Sequence, residues 1–143
     1  MIRSARRAAV AYKTRDGSLI RERMHPDVHG NRRQSLAEAT VRPGQTTLTH
    51  RHGHTEEIYY ILQGEALIAV DHEKQPLGRG DAVLIPPGSW HSITNTGSCD
   101  LVFLCCCSPA YRHDDTHLQP PKEDTGQGDA TPSTPVAKPS GDL

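Results

Sequence analysis

Aromatic residues are scarce in this 143-residue chain, at 4% of the total, and with 34% of residues hydrophobic there is material for one small core and little to spare. Long apolar runs are missing too. No stretch approaches the roughly 20 apolar residues that a bilayer-spanning helix needs, so no membrane partner is expected. An excess of one charge is also absent: 16 basic residues stand against 17 acidic ones, a formal net charge of -1, which argues against a general nucleic-acid binder. No helix-turn-helix segment accompanies the rest, and no internal repeat is visible. The one local exception is a basic N-terminal stretch with Arg3, Arg6, Arg7, Lys13, Arg15, Arg21 and Arg23. It lacks the apolar segment of a secretory signal, so it reads as a solvated arm, and the chain is expected in the cytoplasm.

Cysteine offers no disulfide framework. Cys99 stands alone, while Cys105, Cys106 and Cys107 are consecutive. Adjacent residues on a strand face opposite sides, and neighbouring cysteines make poor disulfides. Cys105 and Cys107 are expected to share a face as small core residues, with a thiol near a functional site as the lesser alternative.

Two histidine-bearing stretches stand out. In Thr46-Thr47-Leu48-Thr49-His50-Arg51-His52 the threonines favour a β-strand, and side chains two residues apart on a strand share a face, so His50 and His52 project together. Gly53 turns the chain, and the next strand, Glu57 to Leu62, opens with a carboxylate that can return beside the two imidazoles. In the second stretch a short apolar strand, Ala82 to Ile85, ends at Pro86-Pro87-Gly88, and His91 begins a further strand. Each residue alone has an ordinary structural explanation, as a hydrogen-bonded histidine or a solvated acid. Taken together, His50, His52, Glu57 and His91 make a set of nitrogen and oxygen donors suited to a divalent first-row metal. His54 follows the same alternation, but the break at Gly53 directs it to solvent or to a pocket rim.

These residues resemble the two signatures of the cupin superfamily. Gly44, His50, His52, Glu57 and Gly64 match the first at every position, and Gly80, Pro86, Gly88, His91 and Asn95 match the second. The resemblance covers about residues 35 to 108 and is far more specific than a lone His-x-His. It implies an all-β fold, a double-stranded β-helix or jelly-roll barrel with the metal inside it. Residues 1–33 are then an N-terminal arm with short strands packing on the barrel, 34–118 the barrel, and 119–143 a disordered tail rich in Pro, Gly, Ser, Thr and charge. Along the way, Ala8 to Met24 reads as one or two strands around Asp16-Gly17, His25 to Arg33 as a polar loop, Gln63-Gly64 as a hairpin turn, and Asp71 to Gly80 as a charged loop containing Pro76. The segment from Tyr111 to Asp115 is expected to fold back as a short cap. Glu57 to Leu62 is apolar on both faces, which calls for cover on both, and a homodimer is one way to provide it.

Three imidazoles and a carboxylate leave two positions of a six-coordinate ion open, the mark of a catalytic rather than a structural site. Mn or Fe is favoured, with Ni, Zn and Cu also compatible. Within the resembled family the open site is expected to serve an enzyme that enolises or isomerises a sugar or keto acid, with two alternatives: an Fe(II) dioxygenase, and a binding or regulatory protein without turnover. The candidate catalytic groups beside the ligands are Gln34, Tyr59 and His113, with Trp90, Tyr111 and Arg112 as further pocket candidates. Arg51 should point away from the metal, so no inward arginine marks a phosphate site. A small, polar, oxygen-rich molecule is the expected substrate.

Overall fold

The structure is a computed structural model, and it describes residues 1–121. The expected tail, 119–143, lies almost wholly outside the described residues.

Eleven strands follow one another: β1 (Ala11–Lys13), β2 (Leu19–Met24), β3 (Ser35–Val41), β4 (His50–His52), β5 (Glu56–Gln63), β6 (Ala66–Val70), β7 (Glu73–Leu77), β8 (Ala82–Ile85), β9 (His91–Asn95), β10 (Leu101–Ser108) and β11 (Thr116–Leu118). They form two antiparallel sheets, one of six strands in the order β1-β2-β3-β10-β5-β8 and one of five in the order β11-β4-β9-β6-β7. The two sheets face each other as a jelly roll, with Phe103, Ile61, Ile68, Ile85, Ile93 and Leu101 fully buried between them.

The core changes character along its length. Because β3, β10 and β5 pair in register, their inward residues form cross-strand rungs. One rung is Ala39, Phe103 and Ile61, and the next is Ala37, Cys105 and Tyr59. The last is Ser35, Cys107 and Glu57. The barrel is therefore apolar at one end and polar at the other. The apolar end carries the stability: truncating a fully enclosed Ile61 to alanine costs on the order of 2–5 kcal/mol. The polar end is where chemistry is possible.

Several expected elements differ in detail. Residues 71–80 are not a plain loop, since β7 pairs with β6 over Glu73–Leu77. Pro76 is tolerated there because β7 is the outer strand of its sheet and needs hydrogen bonds on one side only. Within 25–33 lies a one-turn helix, α1 (Pro26–His29), with proline at its first position and Gly30 at φ 78 closing it. Gly64 is not a hairpin turn, because β5 and β6 belong to different sheets. It carries the chain between the sheets at φ 90, and a Cβ there would meet Leu101 Cα at 3.0 Å, so only glycine fits. The strand expected from Thr46 shrinks to His50–His52, with Thr46 making only an isolated bridge to Thr94. Residues after Pro109 do fold back, adding β11 beside β4.

The N-terminal segment joins the six-stranded sheet through β1 and β2. Its anchor is Arg6, whose Nε and Nη2 donate to the Glu38 carboxylate at 2.8 and 2.6 Å. Glu38 is buried on the outer face of β3, and the hydrogen bonds from Arg6 hold its carboxyl below the ordinary carboxylate range.

Candidate metal centre

His50 and His52 reach the barrel interior from β4, Glu57 from the start of β5, and His91 from the start of β9. All four are buried, and one ligand atom from each lies within 4.8 Å of all the others. His52 Nε2 is 3.2 Å from Glu57 Oε2, and His91 Nε2 is 3.4 Å from the same oxygen.

The outer nitrogens fix which atoms face the centre. His50 Nδ1 donates to the Leu48 carbonyl at 2.8 Å and His91 Nδ1 to the Ser89 carbonyl at 3.0 Å, and a carbonyl oxygen can only accept. His52 Nδ1 is 3.0 Å from Thr116 Oγ1, whose own proton goes to the Arg112 carbonyl at 2.8 Å, so this nitrogen also donates. Three imidazoles thus carry Nδ1–H and turn Nε2 inward, the orientation that outer partners impose on metal-binding histidines. Burial pushes the Glu57 carboxyl up, but the adjacent imidazoles of His52 and His91 outweigh it and hold the group below the ordinary carboxylate range. Burial lowers the His50 pKa, with His91 nearby adding to the effect.

Glu57 Oε2 and His91 Nε2 are buried with no hydrogen-bond partner. Unpartnered acceptors converging in a dry site are costly unless a cation satisfies them together. The donor set therefore fits a divalent metal, and His50, His52, Glu57 and His91 could hold one.

The surrounding cavity is narrow, about 50 Å³, which by the volume a buried water requires is space for roughly three or four water-sized groups. Tyr59 lines it, and burial, reinforced by the charge of Glu57, pushes its hydroxyl pKa well up. Tyr111 lines it too. Gln34 and His113 do not. Gln34 is exposed just ahead of β3, and its neighbour Ser35 is the residue that faces inward, because strand side chains alternate. His113 is exposed, 3.1 Å through Nδ1 from the Tyr111 hydroxyl, and borders an outer groove together with Arg112. Tyr12, Glu22 and Tyr111 line both this groove and the cavity, so they form the mouth between them. Burial raises the Glu22 carboxyl above its ordinary range.

Trp90 also lies away from the cavity, with the Arg51 guanidinium 4.6 Å from its ring centre. Arg51 is exposed, and among the described residues no arginine or lysine lines the cavity. His54 is exposed as well, with Nδ1 2.7 Å from Asp115 Oδ1. Cys105 and Cys107 share the inward face and line the cavity. Burial pushes both thiols well up, so neither is a thiolate nucleophile.

The residue that the sequence did not single out is Asp16. It lies in the turn between β1 and β2, which is clipped to the segment leading into β4 by a hydrogen bond from Leu48 N to the Asp16 carbonyl at 2.7 Å. Its Oδ1 accepts from Ser18 N and Ser18 Oγ at 2.9 and 2.7 Å, leaving Oδ2 free to face the centre, 4.0 Å from His50 Nε2. An Asp-Gly pair reads as a turn signal, and nothing in its spacing ties it to histidines more than 30 residues later.

Comparison with known proteins places this geometry in a family. An uncharacterised protein of Methanocaldococcus jannaschii is 49% identical over 107 residues, 75% of this chain and 86% of that one. A Thermotoga maritima protein named as an oxalate-binding protein is 37% identical over 86 residues, 60% of this chain and 67% of that one. Among solved structures, that of a predicted oxalate decarboxylase from Thermotoga maritima superposes with a TM-score of 0.66 at 25% identity, covering 74% of this chain and 97% of that one. Among the described residues no helix is long and apolar enough to cross a membrane. Residues 37–107 match the family described as Cupin domain, and with both signatures, the jelly roll and the buried histidines and glutamate in place, the chain belongs to the cupins.

Proposed function

We propose that the chain is a metal-dependent cupin enzyme that moves a proton on a small, uncharged, oxygen-rich substrate such as a hydroxycarbonyl compound. Mn(II) or Fe(II) is the proposed ion. Bound by His50, His52, Glu57 and His91, such an ion supplies a Lewis acid that polarises a carbonyl oxygen.

The observation that carries the reading is Asp16, a carboxylate beside the ligand atoms with one oxygen uncommitted. Charge points to the substrate class. Neutral imidazoles, the Glu57 carboxylate, the Asp16 carboxylate and a divalent ion sum to about zero, and among the described residues no arginine or lysine lines the cavity to balance an anion. The volume limits the substrate to a few heavy atoms at the centre, with any remainder in the mouth between Tyr12, Glu22 and Tyr111. Asp16 Oδ2 accepts the proton from the carbon next to the carbonyl and returns it to the former carbonyl carbon. The substrate's hydroxyl proton passes to the carbonyl oxygen, and composition is unchanged. The Ser18 hydrogen bonds to Oδ1 hold the carboxylate in place for both transfers.

The test is proton exchange followed by NMR in deuterated water with Mn(II)-loaded protein and a panel of small hydroxyaldehydes and hydroxyketones. Deuterium should enter the substrate at the carbon next to the carbonyl. It should fail to enter with Asp16→Asn, which keeps Oδ1 and the metal. Substrate-dependent oxygen consumption by the Fe(II)-loaded protein, without exchange, would replace this reading with a dioxygenase; metal binding with neither would leave a non-catalytic binding protein.

A further inference from the structure

We propose that Cys107 is a positioning residue for Glu57, its thiol occupying one carboxylate oxygen so that the other alone is presented to the metal. This rests on the four-residue metal centre above, though not on which reaction it serves.

The sheet register places the pair. Cys107 on β10 stands directly opposite Glu57 on β5 and, on its other side, opposite Ser35 on β3. All three side chains are buried and face the cavity. Cys107 Sγ donates to Glu57 Oε1 at 3.4 Å. Glu57 Oε2 has no hydrogen-bond partner and is the oxygen that faces His52 and His91. The two oxygens of one buried carboxylate are thus divided between a thiol and an otherwise unmet position.

That division has a chemical consequence. A carboxylate free to turn can offer both oxygens to an ion and so close a coordination position that substrate would use. Holding Oε1 on a sulfur hydrogen bond keeps Glu57 to one oxygen and fixes its angle, as outer partners do for metal-binding side chains generally. Ser35 is next in the row, and its Oγ accepts from Tyr111 N at 2.9 Å, so the same rung is tied to the segment that closes the mouth.

The test compares the wild type with Cys107→Ser, Cys107→Ala and Cys106→Ala, by titrating each full-length protein with Co(II) and recording the visible absorption of the bound ion. Melting of the metal-free proteins separates binding from folding. The expected result is that Cys107→Ala binds about tenfold more weakly, with an altered absorption spectrum, an effect in the range known for removing such outer partners. Cys107→Ser, which retains a donor, should recover most of both, and Cys106→Ala, on the opposite face, should change neither. Wild-type affinity and spectrum in Cys107→Ala would overturn the role. So would equal weakening in the serine and alanine variants in proportion to lost melting temperature, which would make Cys107 a packing residue. A wild type that binds no Co(II) would overturn the metal centre itself, and the role with it.

Discussion

The two faces of the six-stranded sheet differ most where they are closest in sequence. Facing inward, Ser35, Cys107 and Glu57 form a polar, enclosed rung. One residue along on the same strands, Leu36, Cys106, Ile58 and Leu84 form a row that crosses four strands and points outward, with Ile58 40% and Leu84 52% exposed. The next outward row contains Leu104 and Tyr60, the latter 41% exposed. At this end of the barrel the inside is polar and the outside apolar, the reverse of an ordinary half-buried sheet. Polar groups are tolerated inside because they hydrogen-bond one another or converge on a cation site. Apolar groups outside make a surface that a partner would cover, and we propose that one does.

Breaking the inner face should give the largest effect. His91→Ala removes an Nε2 that has no other purpose in the structure, and bound metal measured by plasma mass spectrometry should fall from about one per chain to none. Ile58→Lys, on the outer face, should leave metal content unchanged. If His91→Ala retained full occupancy, the inner face would be no metal centre.

Breaking the outer face should come next. The proposed partner is a second copy of this chain, because Cys106, Ile58, Leu84, Leu104 and Tyr60 form an uncharged patch over adjacent rows and one such surface can cover another about a two-fold axis. Of the acids bordering it, Glu38 is paired with Arg6 and Glu56 lies at the rim. Tyr60→Glu should weaken dimerisation by about 30-fold or more in sedimentation experiments, equivalent to about 2 kcal/mol, as for a central aromatic in an interface. A wild type that sediments as a monomer at every concentration would remove this half of the contrast.

The adjacent cysteines sharpen the contrast at the scale of one residue. In a Cys99→Ser background, a maleimide should label Cys106 in the folded protein and should reach Cys105 and Cys107 only on unfolding, since these two are buried. Labelling of Cys106 should slow as protein concentration rises if the outer row is covered by a second copy. Equal labelling of all three in the native state would mean that the inner face is open to solvent.

Much of this was legible in the sequence because strands alternate. His-x-His predicts two ligands on one face of β4. Glu57 to Leu62 reads as a strand needing cover on both faces; the barrel covers Glu57, Tyr59 and Ile61, while Ile58, Tyr60 and Leu62 on the other face are exposed. The same alternation explains the misplacement of Gln34, which precedes the inward Ser35 by one residue, and an offset of one reverses the face. Asp16 was not legible, because its place at the centre depends on a β1–β2 turn lying against the segment that leads into β4, a contact between distant segments that no local pattern encodes. The role proposed for Cys107 was half legible. Alternation places its thiol inward, but only the register between β10 and β5 sets it against Glu57.

The smallest expected effect concerns what keeps the two faces apart. Glu57 lies just after the loop that joins β4 to β5, and a slip of one residue there would exchange Glu57 for Ile58. Asp115 holds that loop: its carboxylate accepts from His54 N and Thr55 N at 3.1 and 3.2 Å and from His54 Nδ1 at 2.7 Å. Burial raises the Asp115 carboxyl, but the hydrogen bonds from His54 and Thr55 outweigh it and bring the pKa to about 2. A carboxyl whose folded pKa lies below its unfolded value of about 3.9 contributes stability that is fully present above that value. The contribution is lost as pH falls through the folded pKa. Metal-free wild type should therefore melt a few degrees above Asp115→Asn at pH 5, on the order expected for removing a modest interaction from a small domain. That margin should shrink as pH is lowered towards 2, where the wild-type carboxyl is itself protonating. A margin independent of pH over this range would show that Asp115 holds the loop by shape and not by charge.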